Sequence, residues 1–202
     1  DKIYKSFTYD KIKMNQKIFG MEMNYDSEDS STFNSGMGAQ IAAEMNKVVG
    51  KSSQIVMSDK GKIIDLDLST ISDNTDITNN LTSGSTYAVY PDGKTKVGDS
   101  WENDIKPMKN SEMKVHVKYT LLKLSKKNAV IGVEGVLTGN EVEGEEVNLS
   151  GTTVGEMIVD RATGMLITST LDLEMEMEMD QRGVKIPASI MTSTITNATK
   201  IN

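Results

Sequence analysis

Reactive side chains are few in this chain of 202 residues, and most stand in alternating arrays rather than in compact motifs. The single His, His116, lies between Lys114 and Lys118 on the polar side of an alternating segment. Proton transfer by imidazole needs a nucleophile or a carboxylate in a recognisable arrangement, and no G-x-S-x-G motif accompanies it. His116 reads as an exposed strand histidine. The strongest local anomaly is an acidic ladder at strict i, i+2 spacing: Asp172, Glu174, Glu176, Glu178 and Asp180. On one strand face such carboxylates stand ~7 Å apart, too far to chelate an ion without ligands from a neighbouring strand. The ladder reads as a solvated face whose repulsion is relieved by cross-strand cations, Lys114 and Lys118 if those strands are neighbours. A weak Ca²⁺ site and a surface for a cationic partner are the competing readings.

Between the acids run Leu173, Met175, Met177 and Met179. With Met21 and Met23 they hold strand positions where Val or Ile is the usual choice. Thioether chains adapt to irregular apolar space. A concave face lined by these six residues therefore suits an acyl chain or a partner's apolar segment. The simpler reading is a core covered by a helix. Trp101, the only Trp, ends the run Val97-Gly98-Asp99-Ser100-Trp101, shortly after the turn Tyr90-Pro91-Asp92-Gly93. It reads as an anchor holding that loop to the sheet, with ligand stacking as the alternative role.

Composition removes several functions. With 29 Asp plus Glu against 22 Lys plus Arg, the net charge is −7, and no basic stripe exists to neutralise phosphates. Nucleic acid is therefore not an expected partner. The absence of Cys excludes disulfides, thiolate zinc sites and Cys nucleophiles, and one His provides no His pair for a metal. No cofactor or metal is expected. No run approaches the ~18 consecutive apolar residues of a transmembrane helix. Carboxylate-only catalysis, as in glycosidases, requires a facing acid pair in a cleft, and the sequence shows no sign of one. The expectation is a protein that is not an enzyme.

The elements that must position these residues are mostly strands. From Met165 to Asp180 the odd positions are largely apolar and the even ones become acidic, a half-buried antiparallel strand of unusual length. Thr152–Val159 leads through Asp160-Arg161-Ala162-Thr163-Gly164 into it as a hairpin. Met113–Leu124 with Ala129–Leu137, and Ile55–Ser58 with Ile63–Leu68, make two more hairpins. Ile190–Ile201 reads as a closing strand. Tyr4–Met14 and Ile18–Tyr25 make an opening pair, with a bulge near Asp10 where the apolar phase shifts. Met37, Ile41, Met45, Val48 and Val49 recur at helical spacing, which predicts one amphipathic helix of three to four turns over about 35–50. Residues 69–84 read as a surface loop. The expected architecture is mainly β: a large curved antiparallel sheet or open half-barrel, with the helix packed on it, in a single domain over 1–202.

Several blocks resemble a family of uncharacterised envelope proteins from Bacteroidetes-type bacteria. They are Phe7–Met14, Tyr25–Glu28, Gly50-Lys51 with Ser58–Ile63, Val97–Trp101, Tyr119–Leu121, Gly155–Asp160 and Ala162–Gly164. The resemblance implies an exported protein, often a lipoprotein, with no assigned catalytic residues and with further strand sequence before Tyr4. A looser similarity is to bacterial lipoprotein carriers, curved half-barrels closed by helix, through the Asp160, Thr163, Gly164 turn and the long strands after it. The chain opens at Asp1 with neither Met nor leader, so a removed leader and a lipid-bearing Cys upstream are compatible with it. The expected location is periplasmic or cell-surface, associated with the outer membrane. The expected function is that of a binding or accessory subunit with protein partners in a larger assembly. A carrier of lipid or another hydrophobic ligand is the alternative.

Overall fold

The computed structural model describes residues 2–8, 10–11, 13–18, 21–29, 31, 39, 42–43, 45–67, 88–105, 113–142, 145–181 and 184–198. Eleven strands among them form two antiparallel sheets, neither closed into a barrel. The smaller sheet has the order β1-β4-β5, from β1 (Lys2–Thr8), β4 (Ser52–Ser58) and β5 (Ile63–Asp67). The larger combines β2 (Lys13–Ile18), β3 (Met21–Asp26), β6 (Ser100–Ile105) and β7 (Lys114–Leu124) with four long strands. These are β8 (Asn128–Val142), β9 (Glu145–Asp160), β10 (Leu166–Gln181) and β11 (Val184–Asn197). Its order is β3-β2-β11-β10-β9-β8-β7-β6, so from β6 to β11 each strand pairs with its sequence neighbours. That is the meander expected when hairpin turns are short.

The period-two pattern decides the faces. Along β7 the side chains of Val117, Tyr119 and Leu121 are buried, while Lys114, His116 and Lys118 are exposed. The inner face carries the main core: Tyr119, Leu121, Ile131, Val133, Met157, Val159, Leu166 and Leu171. A second cluster of Met113, Leu137, Val147 and Leu149 lies on the same face. Along β9, two inward positions carry no side chain, and there the paired strand comes close. A Cβ on Gly151 would stand 2.6 Å from the Glu174 carbonyl oxygen. One on Gly155 would overlap the Thr170 carbonyl oxygen and lie 2.9 Å from Leu171 Cα. Only glycine lets β9 and β10 approach this closely on the concave side.

Several expectations are corrected. The opening Tyr4–Met14 strand is two strands in different sheets: β1 pairs with β4, and β2 pairs with β3. The phase shift from odd to even apolar positions marks a passage between sheets at the bend of Asp10, not a bulge. The helix over about 35–50 is not borne out. Among the described residues α-helical backbone is limited to Ala39, Ala42, Ala43 and Met45, and residues 46–48 form a turn. Val48 and Val49 are β-branched, and Val49 leaves the turn into a β-bridge. Ala42, Met45 and Val48 are nonetheless buried, and the Tyr25 hydroxyl donates to Asn46 Oδ1 at 3.0 Å. Met37, Ile41 and the loop of 69–84 lie outside the described residues. The closing strand begins earlier than expected, at Val184, and Pro187 is accommodated near its start.

Candidate binding site

On the outer face of the large sheet, β10 lies between β9 and β11, and β9 and β8 separate it from the lysines of β7. Lys114 and Lys118 therefore do not face the ladder. Glu174 stands between Thr152 and Met191, Asp172 between Val154 and Ser193, and Glu176 between Ser150 and Ser189. Neutral hydroxyls and apolar chains flank these carboxylates, and Asp172, Glu174 and Glu176 take part in no ion pair among the described residues. The backbone of Asp180 continues the strand, and Glu178 is half-buried. No three His, Cys, Asp or Glu side chains among the described residues come together as a metal site.

The same face exposes large apolar side chains beside the acids. Val136 is 52 % exposed, Val154 53 %, Met191 50 % and Ile195 68 %. The register places them on adjacent strands: Val136 opposite Thr152, which in turn is opposite Glu174, itself opposite Met191.

Toward the other edge the charges are paired. Lys118 Nζ is 3.4 Å from Glu134 Oε2, and the His116 ring lies 2.8 Å from Asp104 Oδ1 and 3.5 Å from Glu102 Oε2. The Asp104 hydrogen bond and the two carboxylate charges raise the His116 pKa above its usual value. A raised folded-state pKa stabilises the fold below the unfolded value and loses that effect as pH rises through the folded value. In urea titrations, His116→Gln is therefore expected to be slightly less stable than the parent near pH 5.5. Above the raised pKa the gap should close. The effect is small because the ring is exposed, and a gap that widened with pH would contradict the pairing.

The inner face holds Leu173, Met175 and Met177, all half-buried. Met175 and Met177 pack on the cluster of Met113, Leu137, Val147 and Leu149. Met21 and Met23 lie in β3 and Met179 in β10, but their side chains, like that of Asp180, are outside the described residues. Trp101 stands apart from the methionines. Its ring stacks on Tyr119 with centroids 5.7 Å apart and planes at 20°, and its Nε1–H donates to the Val89 carbonyl. The sheet therefore does not bring Trp101 into the methionine cluster.

A feature absent from the sequence reading lies where the small sheet meets the end of the large one. A cavity of about 230 Å³ is lined by Ile3, Lys5 and Met57 on one side and by Ala88, Val159 and Leu166 on the other. A strap at residues 88–92 contributes Ala88 and Tyr90 to its wall. Tyr90 N–H donates to the Lys60 carbonyl at 2.8 Å, and the Tyr90 hydroxyl donates to the Gly164 carbonyl at 2.8 Å. Lys60 Nζ reaches the Pro91 carbonyl and Asp92, both at 3.4 Å. Burial, with the nearby Tyr119, pushes the Tyr90 phenol up to about 12.

The turns around the cavity are built for close contact. Gly61 sits at φ +81°, and a Cβ there would overlap the Ala88 carbonyl oxygen. That left-handed position favours glycine. Asp160 Oδ1 accepts from the N–H groups of Ala162 and Thr163 and from the Thr163 hydroxyl, an Asx-type turn that holds residues 162–164 in place. The sequence did carry a trace of the site. Lys5 is a charge in the apolar phase of Ile3-x-Lys5-x-Phe7.

Residues 73–166 match a protein family described as a family of unknown function, DUF6263. The matched segment spans the strap, β6 to β9 and the start of β10, so it supplies the Ala88, Tyr90, Val159 and Leu166 side of the cavity. Neither a curated protein nor a solved structure matches the chain. No helix among the described residues is long and apolar enough to cross a membrane.

Proposed function

We propose that this chain is a non-enzymatic protein of the cell envelope, associated with the outer membrane, that serves as a binding or accessory subunit of a larger assembly. One observation carries the reading: the outer face of β8–β11 sets Asp172, Glu174 and Glu176, unpaired among the described residues, beside exposed Val136, Val154, Met191 and Ile195. A mixed apolar and acidic patch on long strands suits a partner surface with basic and apolar groups. Apolar burial would supply affinity, and the carboxylates would steer and select. The envelope location rests on the family resemblance of the sequence blocks.

The test is cross-linking in native membranes, with the parent and with Asp172→Lys/Glu174→Lys. Both positions are exposed and unpaired, so the double variant should stay within ~0.5 kcal/mol of parental stability. A defined partner should be captured by the parent and lost with the variant. Equal capture by both, or a parent that is always recovered alone, defeats the reading.

A second reading is a carrier of lipid or another hydrophobic ligand on the methionine-rich concave face. The half-burial of Leu173, Met175 and Met177 favours it. Mass spectrometry of denatured protein purified from its native envelope should then show an acyl lipid. Its absence counts against the carrier.

A further inference from the structure

We infer that the cavity between the two sheets binds a small monoanionic amphiphile, a short alkanoate whose carboxylate meets the Lys5 ammonium. The inference is independent of the docking face on β8–β11 and is tested on the isolated protein.

Lys5 carries the argument. It lies on the inward side of β1, opposite Ile55 and next to the Ile3–Met57 pair. Ile55 and Met57 are both buried. Lys5 itself is half-buried, and a cation that has lost part of its water gains from an anion beside it. Lys5 forms no ion pair or hydrogen bond among the described residues. Loss of solvent pulls its ammonium pKa below the ordinary value. An inward charge on an edge strand also deters strand addition, but that role requires no cavity at the charge.

The other polar groups of the wall are committed. The Tyr90 hydroxyl is bound to Gly164, Ser58 Oγ accepts from the Lys60 and Lys62 N–H groups, and Asp59 on the rim is already engaged. Thr163 is bound within the Asp160 turn. Lys5 is then the cation of the wall, set near apolar Ile3, Met57, Ala88, Val159 and Leu166, with the Ser58 hydroxyl as a further donor. That donor set matches one anionic oxygen pair and one hydrocarbon tail. About 230 Å³ is below the ~300–1,000 Å³ of drug-sized sites, which limits the tail to a short chain. The walls are held before any ligand arrives, by the strap bonds at Lys60 and Gly164 and by the Asp160 turn, so little ordering is left for binding to supply.

Calorimetric titration with butanoate, hexanoate, octanoate and decanoate tests the site, with 1-hexanol, hexylamine and N-acetyl-leucine as comparisons. Affinity should rise roughly fourfold per added methylene until the cavity is full, and then flatten. Hexanoate should bind more tightly than 1-hexanol, and hexylamine should not bind. Lys5→Met should weaken hexanoate at least tenfold and leave 1-hexanol unchanged, while Lys5→Arg keeps hexanoate binding. Lys5→Met removes a desolvated charge and is expected to melt no lower than the parent; Lys5→Gln replaces it if it misfolds. The proposal is overturned by no binding at millimolar hexanoate, by no dependence on chain length, or by hexylamine binding as well as hexanoate. Unchanged hexanoate affinity without the ammonium overturns it too. N-acetyl-leucine binding more tightly than every alkanoate would replace the free acid with a peptide C-terminus and overturn it equally.

Discussion

Gly155→Ala is expected to destabilise the protein by about 3 kcal/mol or more. The added Cβ would overlap the Thr170 carbonyl oxygen and stand 2.9 Å from Leu171 Cα, both backbone atoms of the paired strand. A flexible side chain could swing aside, but β10 is hydrogen-bonded to β9 and β11 on its two sides and cannot move without breaking a ladder. The control is Gly132→Ala. There the nearest atoms belong to the Leu122 side chain, at 3.2 Å, and Leu122 is exposed and free to adjust. Its cost should stay within about 1 kcal/mol. Urea unfolding of the two variants makes the comparison, read as a shift in midpoint at constant slope. Equal losses would mean that the close approach at Gly155 is not what shapes the sheet.

The second large effect is expected at Tyr119. Its ring is fully buried in the main cluster and stacked on Trp101, so Tyr119→Ala should cost about 3–5 kcal/mol. Tyr119→Phe should behave in the opposite way. The hydroxyl is buried, and it makes no hydrogen bond of normal geometry among the described residues, although the Val89 main chain is near. Removing an unsatisfied buried hydroxyl while keeping the ring is neutral or stabilising. Burial also pushes the phenol up to about 12, against an unfolded value near 10. The neutral phenol thus favours the fold below pH 10, and that contribution is lost between about pH 10 and 12. Tyr119→Phe should accordingly show a shallower alkaline decline than the parent. A Phe variant as damaged as the Ala variant would assign the hydroxyl a bond that the structure does not contain.

Much of the large sheet was legible in the residues. The alternation of Val115, Val117, Tyr119 and Leu121 with lysines and His116 identified the inner side of β7, and the Asp160–Gly164 turn joined β9 to β10. Both signals are local: a strand turns each residue to the opposite face of its predecessor, and a short loop forces its flanking strands to pair. The helix reading failed because Met37, Met45 and Val48 fit a helical stripe whose last turn contains two β-branched residues before Gly50. The Lys114 and Lys118 reading failed for another reason. Charge complementarity can say what would neutralise the acidic ladder, but not which strand lies beside it.

The sequence by itself determined which side of each strand is apolar, which hairpins form, and that the acids of β10 share one face, because these follow from period-two geometry and turn chemistry. Tertiary structure alone decided that β1 leaves for a separate sheet, that β2 pairs with β11, and that Lys5 meets Tyr90, Val159 and Leu166 around one cavity. The cavity joins segments far apart in the chain, Lys5 with Tyr90 and Tyr90 with Leu166. Each depends on where the chain closes long loops, a balance of total burial against loop entropy that no short window of residues encodes.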